Sequence, residues 1–165
     1  MNCRPRHAAL LMVAIAIVFI SDPVMAKPSS KAKYPRSGFN FAFETGRGNR
    51  IDTYKGTVTK DLISSPDTTI RLQLTNAEMD RVYGKMIDIG FFDIPQHQLS
   101  RHTAGPRDPI RIVATAGKHT KRLAWRWGER IDDWQGLSEL DRLIWAIVHD
   151  RREYRALPKA KGGYL

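Results

Sequence analysis

The amino-acid sequence predicts an α+β domain, with an antiparallel sheet and two helices packed on one face of it. Several short segments alternate apolar and polar residues, which is the period of a half-buried strand. Two longer segments carry apolar residues at spacings of three and four, which is the period of a helix that buries one face. The predicted order is β-β-β-α-β-β-α, and runs of strands separated by single helices favour an antiparallel sheet covered on one side.

Three strands are predicted before the first helix. The first covers 39–44, where three phenylalanines alternate with small or polar residues. The second covers 51–60, with Gly56 as a bulge, because this segment is rich in Thr, Tyr, Val and Ile. The third covers 69–74, where apolar residues again fall on one face. Turns that contain glycine or proline separate the three strands.

The first helix has clear signals at both ends. Thr75 stands three residues before Glu78, which is the spacing of a capping box. Gly90 ends the helix, since glycine readily adopts the left-handed conformation after a C-terminus. Phe91 and Phe92 follow and are expected to plug the space between the helix end and the sheet. The buried face is predicted to contain Met79, Val82, Tyr83 and Met86.

A β-hairpin is predicted over 110–127, with the two-residue turn Gly117–Lys118. Glycine in the first turn position fits a type II′ turn, and this turn sets Ile112 opposite Leu123 on the core face. The closing helix is predicted over 138–156, with Ser138 as its N-cap. The four tryptophans of this half are assigned to the core rather than to sugar binding; they are Trp125, Trp127, Trp134 and Trp145.

The first 26 residues have the pattern of a secretory signal peptide. Arg4 and Arg6 form a basic region, 8–20 is an unbroken apolar run, and the small residues Val24 and Ala26 mark cleavage after Ala26. The apolar run has 13 residues, fewer than the roughly 20 that a membrane-spanning helix needs. We therefore expect export to the periplasm or the medium and no transmembrane segment in the mature chain. The alternative is an uncleaved anchor.

The only cysteine, Cys3, lies inside the predicted signal segment. The mature chain is therefore expected to have no disulfide, no thiol nucleophile and no thiolate metal site. No cofactor is predicted.

Positive charge is concentrated at the two ends of the chain. The formal net charge is +10, of which 27–37 carries +4 and 151–165 carries +4. We expect a flexible basic linker over 27–37, one folded domain over 38–157 and a flexible basic tail over 158–165. Such tails favour an acidic partner or envelope surface, with solubility alone as the alternative. Nucleic acid is not expected as a partner, because its recognition needs a basic folded face with stacking aromatics.

Three arginines of the predicted hairpin are the candidate binding residues. Arg111, Arg122 and Arg126 fall on the outer face of the sheet, and Arg111 and Arg122 are diagonal neighbours in the predicted register. Two guanidinium groups at that spacing are able to bind one carboxylate or phosphate together. The alternative is that they simply solvate a sheet that is covered on one side.

A weaker candidate is a metal site in the polar loop before the hairpin. His97, His102 and Asp108 are residue types that bind zinc, although their spacing matches neither a helix nor a strand. No nucleophile stands beside a base in a recognisable motif, so no catalytic residue is predicted.

One stretch resembles a known group of proteins. Residues 51–62 and 69–95 together are similar to a family of small exported bacterial proteins of unknown function, and the resemblance covers about 51–95. It implies export and carries no assigned activity. The combined prediction is a non-enzymatic binding or accessory module of the cell envelope that recognises an acidic partner or surface. The alternative is a small envelope hydrolase, possibly dependent on metal, that uses the loop 97–108.

Overall fold

The strands and helices form two layers in this computed structural model, which describes residues 33–46, 48–96, 108–126 and 134–163. The strands are β1 Asn40–Thr45, β2 Asn49–Asp52, β3 Thr57–Lys60, β4 Thr68–Arg71, β5 Ile110–Ala116 and β6 His119–Trp125. The helices are α1 Asn76–Asp88, α2 Trp134–Asp150 and the short α3 Arg152–Arg155, with a 3₁₀ turn at Phe91–Asp93. In this part of the chain the strands make one antiparallel sheet in the order β4-β3-β2-β1-β5-β6.

One apolar side chain from each strand contributes to a continuous row across the sheet. The register pairs each member with the next, and all of them except the partly buried Ile70 are at most 3% exposed. The row consists of Ile70, Val58, Ile51, Phe43, Ile112 and Leu123. Burying an aliphatic or aromatic side chain of this kind contributes about 1.5–3 kcal/mol. The row therefore marks the core face of the sheet.

Helices α1 and α2 cover this core face. The rings of Phe39 and Tyr83 lie 5.3 Å apart, and those of Phe43 and Trp145 lie 6.3 Å apart, so each helix contacts the sheet directly. The predicted buried residues of α1 are all buried, and Ile87 joins them. The predicted α+β class, with two helices on one face of an antiparallel sheet, is confirmed.

The segment predicted as one strand over 51–60 is two strands joined by a tight turn, so the order begins β-β-β-β rather than β-β-β. The Asp52 side chain and carbonyl both accept the Lys55 amide, at 3.2 and 3.3 Å, which closes the chain on itself. Gly56 completes the turn with a φ of 63° instead of forming a bulge. The sequence pattern missed the turn because Thr and Tyr within it have high strand propensity.

The predicted hairpin is confirmed in register and in turn type. Ile112 lies opposite Leu123, and Ile110 lies opposite Trp125. Gly117 has a φ of 58°, and among the described residues Ile63 is the only non-glycine with a positive φ. A positive φ at the first turn position alone is the type II′ pattern.

The closing helix differs from the prediction at both ends. It begins at Trp134, so Ser138 lies inside it and is not its N-cap. It breaks at Arg151, whose backbone is extended before α3 begins. The Arg151 guanidinium donates to both carboxylate oxygens of Glu78 at 3.3 Å. The spacing of apolar residues does not predict this tertiary contact at the helix break.

The tryptophans contribute to the core, as predicted, wherever the structure describes them. Trp125 is 1% exposed, and Trp134 and Trp145 pack against the core cluster. Trp127 lies outside the described residues, as does the predicted signal peptide over 1–26.

The chain before β1 packs on the body through Tyr34. This side chain is 6% exposed, and its ring stacks on Phe92 with 4.7 Å between centroids. Its hydroxyl donates to Asp93 at 2.6 Å, and its carbonyl accepts the Tyr83 hydroxyl at 2.5 Å. Residues 33–37 of the predicted flexible linker therefore pack beside Tyr83, Phe92 and Asp93. The segment is mostly polar, but the buried ring of Tyr34 is enough to hold it against the core.

The predicted tail also contacts the body. The Ser64 hydroxyl donates to the Lys161 carbonyl at 2.7 Å, and the Lys161 amide donates to the Leu62 carbonyl at 3.3 Å. The described part of the tail, up to residue 163, therefore runs beside the loop between β3 and β4.

Tyr34→Ala tests whether this N-terminal segment is part of the fold. Removing a buried aromatic ring costs about 3–5 kcal/mol of unfolding free energy, whereas Tyr34→Phe keeps the ring and loses about 1 kcal/mol with the hydroxyl. Urea denaturation followed by tryptophan fluorescence measures both changes. Unfolding midpoints that are equal in the alanine variant and the parent would contradict the packed arrangement.

Candidate binding face on the open side of the sheet

The face of the sheet opposite the helices is the candidate site, and we call it the outer face. Along each strand its side chains alternate with those of the core face. In the described residues none of its side chains is buried except Asp52, which is 4% exposed. The others are Asn40, Ala42, Glu44, Arg50, Thr57, Thr59, Thr69, Arg71, Arg111, Val113, Thr115, Thr120, Arg122 and Ala124.

A chain of ion pairs crosses the middle of the outer face. Arg111 donates to Glu44 at 3.1 Å, and Arg50 approaches the other oxygen of Glu44 at 3.8 Å. Arg50 also donates to the buried carboxylate of Asp52 at 2.9 Å. Charges of opposite sign thus alternate across three adjacent strands. The two pairs on Glu44 are partly exposed and contribute about 0–1 kcal/mol each, so they order the face more than they stabilise the fold.

The predicted diagonal placement of Arg111 and Arg122 is present. Arg111 pairs with Ala124, and Arg122 pairs with Val113, so the two arginines are on neighbouring strands one step apart. Their surroundings differ, because Arg111 shares Glu44 with Arg50 while the exposed Arg122 has no hydrogen bond or ion pair to a described residue. Arg126 follows directly after β6, is half-buried and has a partner of its own.

Hydroxyl groups occupy the end of the outer face near the hairpin turn. Tyr54 Oη lies 2.9 Å from Thr115 Oγ1 and donates to the Asn40 carbonyl at 3.2 Å. Thr115 and Thr120 are themselves 3.0 Å apart. Tyr54 is 48% exposed, and it is the one exposed large hydrophobic side chain among the described residues. Sequence reasoning missed this group, because Tyr54 was placed inside a strand and not in a turn that folds over β1.

The charge on the outer face is positive overall. It carries four arginines and two carboxylates in the described residues, a net charge of +2. The two carboxylates are engaged by Arg50 and Arg111, whereas Arg71 and Arg122 lie toward opposite edges of the sheet. The face is therefore able to accept additional anions without losing its existing ion pairs.

The predicted metal site is only partly within the described residues. His97 and His102 lie outside them, and Asp108 is half-buried and has a partner. Among the residues that the structure describes, no group of three His, Cys, Asp or Glu side chains is arranged to hold a metal ion.

A shallow cleft of about 250 Å³ lies between the N-terminal segment and the start of α1. Its charged residue, Arg36, is paired with Asp80 at 2.5 Å and lies over the ring of Phe39. The Thr53 hydroxyl in its wall already bonds Phe41 and Asn40. The described residues of the cleft wall thus contribute amides, a hydroxyl and a neutralised cation, and they include no paired acid and base.

Asp141 on α2 is a buried carboxylate outside the candidate site. It is 9% exposed, and its Oδ1 has no hydrogen-bond partner among the described residues. Burial raises the pKa of this group from 3.8 to about 6, against a small opposing effect of Arg142. An ionised Asp141 is therefore unfavourable in the folded protein.

Comparisons of the chain with protein-family models, with curated proteins and with solved structures find no match. The resemblance to small exported bacterial proteins stays a prediction. In the described residues no helix has both the length and the apolar character needed to cross a bilayer.

Asp141→Asn should change how stability depends on pH. Because the folded-state pKa is raised, the parent is most stable relative to the variant below pH 3.8 and loses that advantage as pH rises through about 6. The loss amounts to about 3 kcal/mol, so the asparagine variant should melt at a higher temperature than the parent at pH 8. Thermal melts at pH 4 and pH 8 measure the difference.

Asp88→Asn, which removes an exposed carboxylate of α1, is the matched control for the loss of one acidic side chain. Equal melting temperatures of the parent and Asp141→Asn at both pH values would refute the assignment of a buried carboxylate with a raised pKa.

Proposed function

We propose that this protein is a non-enzymatic, exported binding module that recognises an acidic partner or surface of the cell envelope through the outer face. The observation that carries the proposal is Arg122, an exposed guanidinium without a partner among the described residues, on a face of net positive charge. Export rests on the signal-peptide pattern of residues 1–26 and on the family resemblance.

Guanidinium groups on this face suit carboxylate or phosphate groups. Arginine offers a planar fork of donors that matches both anions, and it is weakly hydrated, so it binds them at modest desolvation cost. A carboxylate approaching Arg122 displaces no existing ion pair, and Arg111 on the next strand is close enough to add attraction. A single exposed pair contributes about 0.2–1 kcal/mol, so useful affinity requires several contacts along the face.

The remaining groups of the outer face supply hydrogen bonds. Among the described residues, the hydroxyls of Tyr54, Thr115 and Thr120 bond to one another and not to a histidine or carboxylate. Hydroxyls without a base are poor nucleophiles, whereas they readily donate to or accept from a polypeptide or a sugar. This chemistry favours recognition over catalysis.

The basic termini add long-range attraction in this proposal. Lys159 and Lys161 are exposed in the described part of the tail, and further lysines precede residue 33. Exposed charges act over about 8–10 Å at physiological ionic strength. They therefore raise the rate of association with an anionic surface more than they strengthen the bound complex.

Charge reversal at Arg122 tests the proposal. The full chain should bind fluorescent poly-glutamate at low salt, more weakly at higher salt, and Arg122→Glu should reduce affinity about tenfold. Arg111→Glu combined with Arg122→Glu should abolish binding. Fluorescence anisotropy at two ionic strengths measures these affinities.

The control is Arg81→Glu, which reverses an exposed charge of α1 in the helical layer. It lowers the net charge of the chain by the same amount as Arg122→Glu. Because Arg81 lies away from the outer face, this variant should bind with an affinity near that of the parent. Equal affinities for the parent, Arg81→Glu and the double variant would mean that the outer face does not bind anions.

A further inference from the structure

We propose that the edge of β6 that pairs with no described strand binds an extended acidic segment of a partner protein by strand addition, with the partner's carboxylates placed beside Arg122. This inference rests on the proposed function and names the class of its partner. In strand addition, main-chain hydrogen bonds supply affinity and alternate side chains supply specificity.

The position of β6 in the sheet is the first argument. It lies at one end of the strand order, and in the part of the chain that the structure describes it pairs only with β5. It has seven residues, whereas β4 at the opposite edge has four. A strand of seven residues offers a template long enough for specific pairing, while short edges are a common way of preventing it.

The hairpin register determines which backbone groups of β6 are available. A two-residue turn makes Ala116 and His119 a hydrogen-bonded pair, and hydrogen-bonded and non-bonded pairs then alternate. The amide and carbonyl groups of Thr120, Arg122 and Ala124 therefore point away from β5, toward the free edge.

The next strands obey the same alternation. On β1 it predicts that the backbone groups of Phe41 face β2. The Phe41 carbonyl accepts the Thr53 amide at 2.9 Å, and the Phe41 amide donates to the Thr53 hydroxyl at 2.8 Å.

The positive charge of β6 favours an acidic partner. Lys121 and Arg122 lie within β6, Lys118 lies in the turn before it, and β6 contains no acidic residue. Lys121 points to the core side, where its ammonium group donates to the Ile94 carbonyl. A second copy of this chain paired along the same edge would bring like charges together, which is unfavourable. A partner strand that carries carboxylates would instead be attracted to the positive charge of this edge.

The geometry also defines the spacing of the partner's acidic residues. Side chains of a strand alternate between faces, so carboxylates at every second position would all lie on the outer face. One of them would stand beside Arg122, with Arg111 one strand further in. Alternating acidic peptides should therefore bind better than peptides of equal charge in which the acidic residues are consecutive.

The experiment uses the full chain and two seven-residue peptides. One has the sequence Thr-Glu-Thr-Glu-Thr-Glu-Thr, and the other has the same composition with its three glutamates consecutive. Ala124→Pro removes an outward amide and keeps every charge, and proline is tolerated where the amide faces outward. Ala124→Ser, which keeps the amide, is the matched control. We expect a loss of at least tenfold in affinity for the alternating peptide with Ala124→Pro and no loss with Ala124→Ser.

Hydrogen exchange of the parent with and without the alternating peptide gives a second readout that does not depend on folding of the proline variant. Slower exchange at Arg122 and Ala124 on addition of peptide supports strand addition. Unchanged exchange at both amides, or equal affinity for the two peptides, overturns it. Sedimentation of the chain as a dimer through this edge would also overturn it.

The two proposals fail in different ways. If Arg122→Glu weakens binding and Ala124→Pro does not, the outer face binds anions through side chains alone, and strand addition is wrong. If neither substitution weakens binding, the outer face is not the binding surface, and both proposals are wrong.

Discussion

The register of six strands around Phe43 is the constraint on which the rest of this molecule depends. Phe43 is fully buried at the centre of the apolar row, and its ring lies 6.5 Å from Trp125 and 6.3 Å from Trp145. A slip of one residue between any two strands would move their apolar side chains to the outer face. The buried row therefore determines the pairing, the face that the helices cover and the face that carries the arginines.

Contacts outside the sheet hold the helices against its core face. Glu78 and the Thr75 side chain form the capping box of α1, and the same carboxylate accepts Arg151 from the end of α2. Tyr34 closes the opposite side of α1 by stacking on Phe92. These contacts tie both ends of the domain to the helical layer. Polar and charged side chains of the sheet are thus left on the outer face.

Local patterns were sufficient for the parts of the fold that local interactions determine. The capping box at Thr75 and the hairpin turn at Gly117 involve residues close in sequence, and the structure has both. Contacts between distant segments were not predictable in this way. The Arg111–Glu44 pair joins positions 67 residues apart, and it alone distinguishes the engaged Arg111 from the available Arg122. Tyr34 was missed for the same reason, since its partners Tyr83 and Asp93 lie 49 and 59 residues away.

The proposed binding depends on an open outer face beside β6, an edge strand that pairs only with β5 in the described residues. Backbone hydrogen exchange of the protein alone tests most directly whether this edge is accessible. In β6 the amides of Lys121, Leu123 and Trp125 face β5, whereas those of Arg122 and Ala124 face the edge. The account predicts slow exchange for the first set and fast exchange for the second. Slow exchange at every residue of β6 would contradict it, because the edge would then already be covered in the protein alone.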